Sequence, residues 1–311
     1  MSPKPATVSD YSVALVDGPW EHHMVAARGQ RFHVAVTGPK DGPVVVLLHG
    51  LPQFWWALRH QLQALGDAGY RAVAMDLRGC GASDKPPDGY NLPTLARDVA
   101  GVAQGLGASR ITVVGHGLGG MVAWTMLSQN PGLLNGVAAI SALHPGTGLP
   151  ARRLLVSPKA LAQTVWLRRS SFALTTPKRR RRMKKMLSGW AAQGDWLDPP
   201  AWELYQAVLA IPNAAAKSAE LLRWILRPRW SAARRRVIAE TRRRAQVPVL
   251  HIHGEMDHLI RSSAAPEPAL GGANYRWVTL RGVGHFAPEE APTVVNELLL
   301  GWLADLPSAD L

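Results

Sequence analysis

Apolar segments typical of buried strands alternate with segments of helical periodicity through most of this 311-residue chain. The run "PVVVLLHG" at 43–50 is almost continuously apolar, which is typical of a strand buried on both faces. Residues 54–69 have helical periodicity and end at a glycine, a frequent helix stop. Further strands are predicted within 23–29, 31–38, 70–76, 110–116, 136–144, 247–257 and 275–285, and further helices within 92–107, 118–130 and 291–306, with a helical link after 257. This repetition predicts an α/β fold whose mostly parallel sheet carries helices on both faces.

The alternation stops between about 146 and 245, where no good strand pattern occurs and helix-forming residues dominate. Half of the chain's tryptophans fall in this third of the sequence: Trp166, Trp190, Trp196, Trp202, Trp224 and Trp230. We therefore predict a core domain formed by 1–145 and 246–311, with 146–245 inserted as a helical, strongly basic cap domain.

The net charge of +13 is concentrated in that segment. Residues 151–245 hold 22 Lys and Arg against 5 Asp and Glu, and "KRRRRMKK" at 178–185 is the densest part. Such clusters suit surfaces that carry phosphate, including an anionic membrane, although a solvated helix face in an arginine-rich chain explains them equally well. No nucleic-acid-binding motif is visible, so we expect no specific nucleic-acid partner.

The single cysteine and the lack of long apolar runs indicate where in the cell the protein is expected. The chain has a single cysteine, Cys80, which cannot form an internal disulfide and fits a reducing compartment. No apolar h-region occurs in the first 30 residues, and no uncharged apolar run of about 18 residues occurs anywhere. We expect a cytoplasmic protein, with peripheral membrane contact through the basic cap left open.

The stretch "VVGHGLGG" at 113–120 joins a predicted strand to a predicted helix through a glycine-rich turn. This is the context of a nucleophile elbow, in which the central residue of a sharp turn presents a nucleophilic side chain. Here the central residue is Gly117, which has no side chain. The turn is present and its nucleophile is missing.

Three other features fall at the ends of predicted strands. The stretch "HGLPQFWW" follows the run at 43–50, Asp257 ends "HGEMD", and His285 lies in "GVGHFAPEE". Ligands of open α/β sheets bind outside the carboxyl ends of the strands, so these loops and the Gly117 turn are expected to share one rim. The chain order of turn, acid and histidine is that of the α/β-hydrolases.

Together with "DLRGCGASDKP", these motifs make the chain resemble an α/β-hydrolase of the epoxide hydrolase and haloalkane dehalogenase branch. The resemblance implies the α/β-hydrolase fold with an inserted cap, and a nucleophile where Gly117 stands. It implies that His285 activates water and that Asp257 orients His285. The backbone amides of Leu51 and Leu118 match the family's oxyanion hole. The resemblance implies no cofactor and no metal site.

The chain departs from that family in the cap as well as at Gly117. Epoxide hydrolases protonate the epoxide oxygen with two cap tyrosines, and Leu222 and Trp166 stand near the corresponding positions. Tyr205 is the only tyrosine between 146 and 245, and its helical setting favours packing over acid catalysis. His116, beside the turn centre, is interpreted as a core histidine rather than as a substitute base.

Two functions remain open on the sequence. One is a weak hydrolase in which His285, held by Asp257, acts as a general base on water without a covalent intermediate. The other is a non-catalytic pseudoenzyme that binds a small apolar molecule, an anionic membrane surface or a protein partner. In both, we expect an ordinary epoxide hydrolase activity to be absent.

Overall fold

The computed structural model describes residues 10–146, 163, 166, 176–192, 196–227, 230–260 and 272–307. Within this part of the chain, eight strands form one sheet. The strands are β1 (Glu21–Ala27), β2 (Gln30–Thr37), β3 (Val44–Leu48), β4 (Arg71–Met75), β5 (Ile111–His116), β6 (Leu134–Ile140), β7 (Val249–Gly254) and β8 (Tyr275–Leu280). The described helices are α1 (Arg59–Asp67), α2 (Leu92–Gly105), α3 (Leu118–Gln129), α4 (Pro177–Ser188), α5 (Pro199–Leu209), α6 (Ala214–Ile225), α7 (Ala232–Thr241), α8 (Ala287–Glu290) and α9 (Pro292–Ala304).

The sheet order is β1-β2-β4-β3-β5-β6-β7-β8. β2 pairs antiparallel with β1 and β4, and every pair from β4 to β8 is parallel. The predicted α/β fold with a mostly parallel sheet is confirmed. Parallel neighbours place the carboxyl ends of β3, β5, β6, β7 and β8 along one edge of the sheet.

Both faces of the sheet are covered, as the apolar run in β3 predicts. Its residues alternate between two core clusters, with Val45 and Leu47 in one and Val46 and Leu48 in the other. The first cluster is completed by α1 and α9, and the second by α2 and α3. All four of these strand residues are essentially inaccessible to solvent, which is why the run contains no polar residue.

Four described helices, α4 to α7, lie between β6 and β7 in the chain. The described residues of the predicted cap form helices and turns, while most of 147–175 lies outside the described residues, as does the helical link expected within 261–271. Cap residues such as Trp190 and Tyr205 join the same buried cluster as Phe286 of the core. The exact domain boundaries stay a prediction.

Among the described residues, no helix is both long enough and apolar enough to cross a membrane.

Candidate active site

The turn between β5 and α3 has no room for side chains at most of its glycines. A Cβ atom on Gly119 would lie 2.1 Å from the carbonyl oxygen of Leu48, and one on Gly115 would lie 2.3 Å from backbone atoms of Gly119. On Gly120 it would lie 2.4 Å from a neighbouring Cβ. These glycines let α3 pack against the ends of β3 and β5, and this close approach makes the turn sharp.

Gly117 is different because a side chain there would have space. Its φ and ψ are 52° and −111°, a backbone conformation that glycine adopts far more easily than other residues. A Cβ atom would lie 3.6 Å from Gly50 Cα and 3.7 Å from His285 Nε2, which are ordinary van der Waals distances. The turn therefore points an unfilled position at the His285 ring.

His285 and Asp257 form a buried hydrogen-bonded pair behind this space. Asp257 follows β7 and His285 follows β8, and the His285 Nδ1 to Asp257 Oδ2 distance is 2.8 Å. Because a carboxylate only accepts hydrogen bonds, Nδ1 carries the proton and Nε2 keeps its lone pair. The other Asp257 oxygen accepts from the amides of Leu259 and Ile260 at 2.8 and 2.7 Å. The loop thus fixes the carboxylate, and the carboxylate fixes the imidazole.

Electrostatics keep Asp257 ionised despite its burial. Burial on its own raises the pKa of this carboxyl, but the adjacent His285 and the hydrogen bonds that it accepts outweigh burial and lower the pKa. An ionised Asp257 stabilises a positive charge on His285. The pair can therefore take a proton from a group placed at Nε2.

The residues that border this space, Gly50 and Gly117, are each followed by a residue with a free backbone amide. Leu118 begins α3, and Leu51 follows Gly50, whose Cα borders the space. Within the described part of the chain, neither amide donates a hydrogen bond to a protein acceptor. Free amides at a helix N-terminus favour negative charge, so this corner can hold an anion or a developing oxyanion.

His116 lies beside the site, with its ring centroid 5.1 Å from that of His285. Its Nε2 donates to the carbonyl oxygen of His285 at 2.8 Å, and the residue is 2% exposed. Burial, reinforced by the nearby His285, lowers the pKa of His116 to about 3. Such a weak base with an occupied Nε2 supports the loop of His285, in keeping with the interpretation from sequence.

Comparison with known proteins identifies the fold family. A family model described as alpha/beta hydrolase fold matches residues 43–292. This chain belongs to the α/β-hydrolase fold family. It is 31% identical to the AB hydrolase superfamily protein YfhM of Bacillus subtilis (strain 168), over 90% of this chain and 96% of that protein. It is 28% identical to epoxide hydrolase 4 of Homo sapiens, over 97% of this chain and 82% of that protein.

Solved structures show the same fold. The epoxide hydrolase CorEH, without ligand, has a TM-score of 0.72 and 24% identity, covering 92% of this chain and 99% of that one. A loop variant of the haloalkane dehalogenase DbeA from Bradyrhizobium elkanii has a TM-score of 0.74 and 20% identity, covering 92% of this chain and 96% of that one. The relatives and structural neighbours of this α/β-hydrolase thus include proteins named as epoxide hydrolases.

Leu222 and Trp166, the two positions in the predicted cap where the family resemblance implies a tyrosine, carry no hydroxyl. Leu222 is half-buried in the apolar cluster, and the ring of Trp166 lies 4.5 Å from the guanidinium carbon of Arg182. Tyr205 is 2% exposed and packs edge-on against Phe54. Its phenol oxygen lies 3.0 Å from both carboxylate oxygens of Glu289.

Sequence reasoning missed the network around Glu289. Arg59 Nη1 donates to Glu289 at 3.0 Å, and Gln53 also donates to it. Burial raises the pKa of Glu289 to about 7, although the charge of Arg59 and the hydrogen bonds from Arg59, Tyr205 and Gln53 act against the rise. Gln53 and Glu289 lie inside the quoted motifs "HGLPQFWW" and "GVGHFAPEE", but nothing in the sequence pairs them with Tyr205 of the cap.

Proposed function

We propose that this α/β-hydrolase hydrolyses substrates by activating water directly at His285, without a covalent intermediate on the protein. Gly117 takes the position of the family's nucleophile and supplies none. Asp257 orients His285, whose Nε2 removes a proton from a water molecule as the water attacks. The amides of Leu51 and Leu118 hold the oxygen that becomes negative.

One observation carries the proposal: the turn keeps room for a side chain at Gly117, 3.7 Å from His285 Nε2, while the neighbouring glycines have none. The open position lies where a nucleophile would meet the base, and a water molecule can take that place. General-base catalysis contributes about 10² to 10⁴ fold, and one oxyanion donor about 10² to 10³ fold. Slow turnover is therefore physically accessible without a nucleophile.

Carboxylic esters are the substrate class that this arrangement favours. Attack on an ester carbonyl places negative charge on an oxygen that two amides can bind. Opening an epoxide needs an acid for the departing alkoxide, which Leu222 and Trp166 do not offer, and the Tyr205 hydroxyl already engages Glu289. Although relatives are named epoxide hydrolases, we propose that this chain opens epoxides poorly.

The test compares ester hydrolysis by the wild type, His285→Gln and Asp257→Asn at high protein concentration. His285→Gln is expected to lower the rate about 10² fold or more, because glutamine cannot take up the proton. Asp257→Asn is expected to lower it as well, since the imidazole loses its orientation and its charge partner. His23→Gln, at a half-exposed histidine on β1, is the matched control and should keep the wild-type rate.

Intact-protein mass spectrometry during turnover separates the direct mechanism from a covalent one. Direct attack by water leaves the mass of the protein unchanged, whereas an acyl-enzyme adds the mass of the acyl group. Equal rates for the wild type and His285→Gln, or a covalent adduct on the wild type, would overturn the proposal.

The basic helix α4 favours a second function, in which the chain binds an anionic membrane surface without catalysis. In α4, Met183, Met186 and Leu187 are buried, and the helix carries seven Lys and Arg but no Asp or Glu. Its exposed cations are Lys178, Arg180, Arg181, Arg182 and Lys185. Each cation near an anionic bilayer contributes about 1 kcal/mol, so one face of this helix can supply peripheral attachment.

Vesicle sedimentation tests this second function. The wild type is expected to bind vesicles that contain phosphatidylserine, to ignore pure phosphatidylcholine, and to dissociate at high salt. The double variant Arg180→Glu/Arg181→Glu should lose binding. The control Lys40→Glu/Arg276→Glu changes the net charge equally at exposed positions outside α4 and should retain it. Equal loss in both double variants, or no binding by the wild type, counts against a membrane-binding face on α4.

A further inference from the structure

The unfilled position at Gly117 has room for the Cβ atom of a side chain. Gly117 has no side-chain atom, and the nearest atoms to a Cβ placed there would be Gly50 Cα at 3.6 Å and His285 Nε2 at 3.7 Å. Both distances are those of ordinary contact, so the position is bounded without being blocked. A group of the size of a methyl therefore meets no steric block in front of this glycine.

The groups around this position suit an anion. The amides of Leu51 and Leu118 donate to no protein acceptor within the described residues, and the second lies at the positive end of the twelve-residue helix α3. The side chain of His285 is only 4% exposed, and its Nε2 has no partner among the described residues although it faces the position. The carboxylate of Asp257 lies on the opposite side of the imidazole and stabilises its protonated form, which can donate from Nε2 to a bound anion and must release that proton before His285 acts as a base.

We propose that this corner binds a small free carboxylate, and formate best, which takes the place of the absent side-chain carboxylate. Binding of the carboxylate rests on the proposed function only in assigning Gly117 to the nucleophile position, while hydrolysis of the ester formed there also rests on water activation by His285. An unbonded carbon must keep about 3.5 Å from the Gly117 Cα, whereas a bonded Cβ would lie about 1.5 Å from it. Formate has no carbon beside its carboxylate and needs the smallest displacement, while acetate has to fit its methyl group as well.

The bound carboxylate can act as an external nucleophile toward a primary bromoalkane. One formate oxygen forms a bond to the carbon that carries bromine, the carbon–bromine bond breaks, and bromide leaves with the bonding electron pair. No acid is needed, which suits a cap without a free hydroxyl at Leu222 and Trp166. The product is an alkyl formate, which is neutral and is therefore attracted less strongly than formate by the two backbone amides and His285.

Hydrolysis of this ester completes a cycle. His285 takes a proton from water, the water oxygen bonds to the formyl carbon, and the carbonyl oxygen becomes negative beside the two amides. The alkoxide then leaves and takes the proton from His285, and the formic acid that is formed loses its proton to the solvent, which restores formate. The net reaction is hydrolysis of the bromoalkane, with formate serving as a recycled co-catalyst.

The experiment measures bromide release by the whole chain in rising sodium formate at constant ionic strength. We expect a saturable rate that exceeds the formate-free rate about tenfold or more, because a bound nucleophile is held next to the reacting carbon. Acetate should give a smaller effect and propionate a smaller one still. A rate that is unaffected by formate, or that rises linearly and equally with all three acids, overturns the proposal.

Direct binding supplies a second readout that does not depend on turnover. Carbon-13 formate should show saturable line broadening with the wild type, and Gly117→Ala should abolish it because the added methyl occupies the site. Gly107→Ala is the matched control: Gly107 also has a positive φ, at 76°, but has no neighbour within 4 Å of a Cβ position. Formate binding that survives Gly117→Ala, or that is lost in a folded Gly107→Ala, contradicts the assignment.

The two proposals fail separately. If esters are hydrolysed through His285 but formate neither binds nor accelerates bromide release, the carboxylate site is wrong and the proposed function stands. If formate binds and alkyl formate accumulates without being hydrolysed, the carboxylate site stands and water activation by His285 is wrong. Mass spectrometry of the organic product distinguishes alkyl formate from alcohol.

Discussion

Glycine at position 117 gives the turn an unstrained backbone. The φ of 52° and ψ of −111° at this turn cost a residue with a side chain on the order of 1 to 3 kcal/mol, whereas glycine adopts them freely. The neighbouring Gly119 is different, because packing against Leu48 forbids any side chain there. Under the proposed function, glycine at 117 therefore removes the covalent step and adds stability, without disturbing the turn.

A carboxylate introduced at this residue tests whether Gly117 lowers backbone strain and removes a covalent step. Gly117→Asp is expected to fold, because its Cβ has ordinary contact distances to Gly50 and His285. Its free energy of unfolding should be lower than that of the wild type by about 1 to 3 kcal/mol, because the backbone at 117 is strained for a residue with a side chain. Its carboxylate would lie beside the oxyanion amides and attack a primary bromoalkane. Chemical denaturation measures the stability, and intact-protein mass spectrometry measures the ester adduct.

Gly117→Asn is the matched control for this variant. Asparagine has the same shape and backbone strain but no nucleophilic oxygen of comparable strength, so it should lose similar stability and form no adduct. A folded Gly117→Asp that gives no adduct with any bromoalkane would contradict the assignment of this turn. Equal stability of the wild type and both variants would contradict the argument from strain.

At the scale of strands and helices, the sequence predicted the elements that position the site. Asp257 and His285 follow β7 and β8, and these strands are parallel neighbours, so their ends lie side by side. Every residue of β7 is buried, whereas β8, the last strand of the sheet, exposes Arg276 and Thr279. The pairing of Asp257 with His285 follows from the shared edge. The hydrogen bond of 2.8 Å between them agrees with that expectation, while their catalytic roles stay predictions.

Contacts between the cap and the core could not be predicted in the same way. Periodicity indicates which face of a helix is buried, but not which residue it meets far along the chain. Tyr205 of α5 was interpreted as a packing residue, and it does pack on Phe54, yet its hydroxyl also bonds to Glu289. Only the fold brings these groups together. The helix predicted from residue 54 likewise starts with a tighter 3-10 turn at Trp55–Leu58 before α1.

At the scale of the whole molecule, Glu289 ties three parts of the chain together. Its carboxylate accepts from Arg59 of α1, Gln53 after β3 and Tyr205 of α5, which lies in the predicted cap. Because the Glu289 carboxyl is buried, its pKa is raised from an ordinary value of 4.5 to about 7. The stability of the molecule should therefore depend on the protonation of this single group.

The sign of that dependence follows from the number of bound protons. Between pH 4.5 and about 7 the folded chain holds a proton on Glu289 that the unfolded chain releases, so the contribution of Glu289 to stability falls as pH rises through this window. The full loss is on the order of 3 kcal/mol, and it is complete above about pH 7. Buried histidines with lowered pKa, such as His116, act in the opposite direction, so the total curve does not isolate Glu289.

A comparison of two proteins isolates it. Glu289→Gln keeps an oxygen that accepts from Tyr205 and cannot ionise, so its stability relative to the wild type should improve as pH rises from 5 to about 8. The free energy of unfolding, measured by chemical denaturation across this range, gives the difference directly. Glu297→Gln, at an exposed position of α9, should follow the wild-type curve throughout. Parallel curves for the wild type and Glu289→Gln would mean that Glu289 is already ionised in the folded chain at pH 5, and that Arg59, Tyr205 and Gln53 together overcome the burial of its charge.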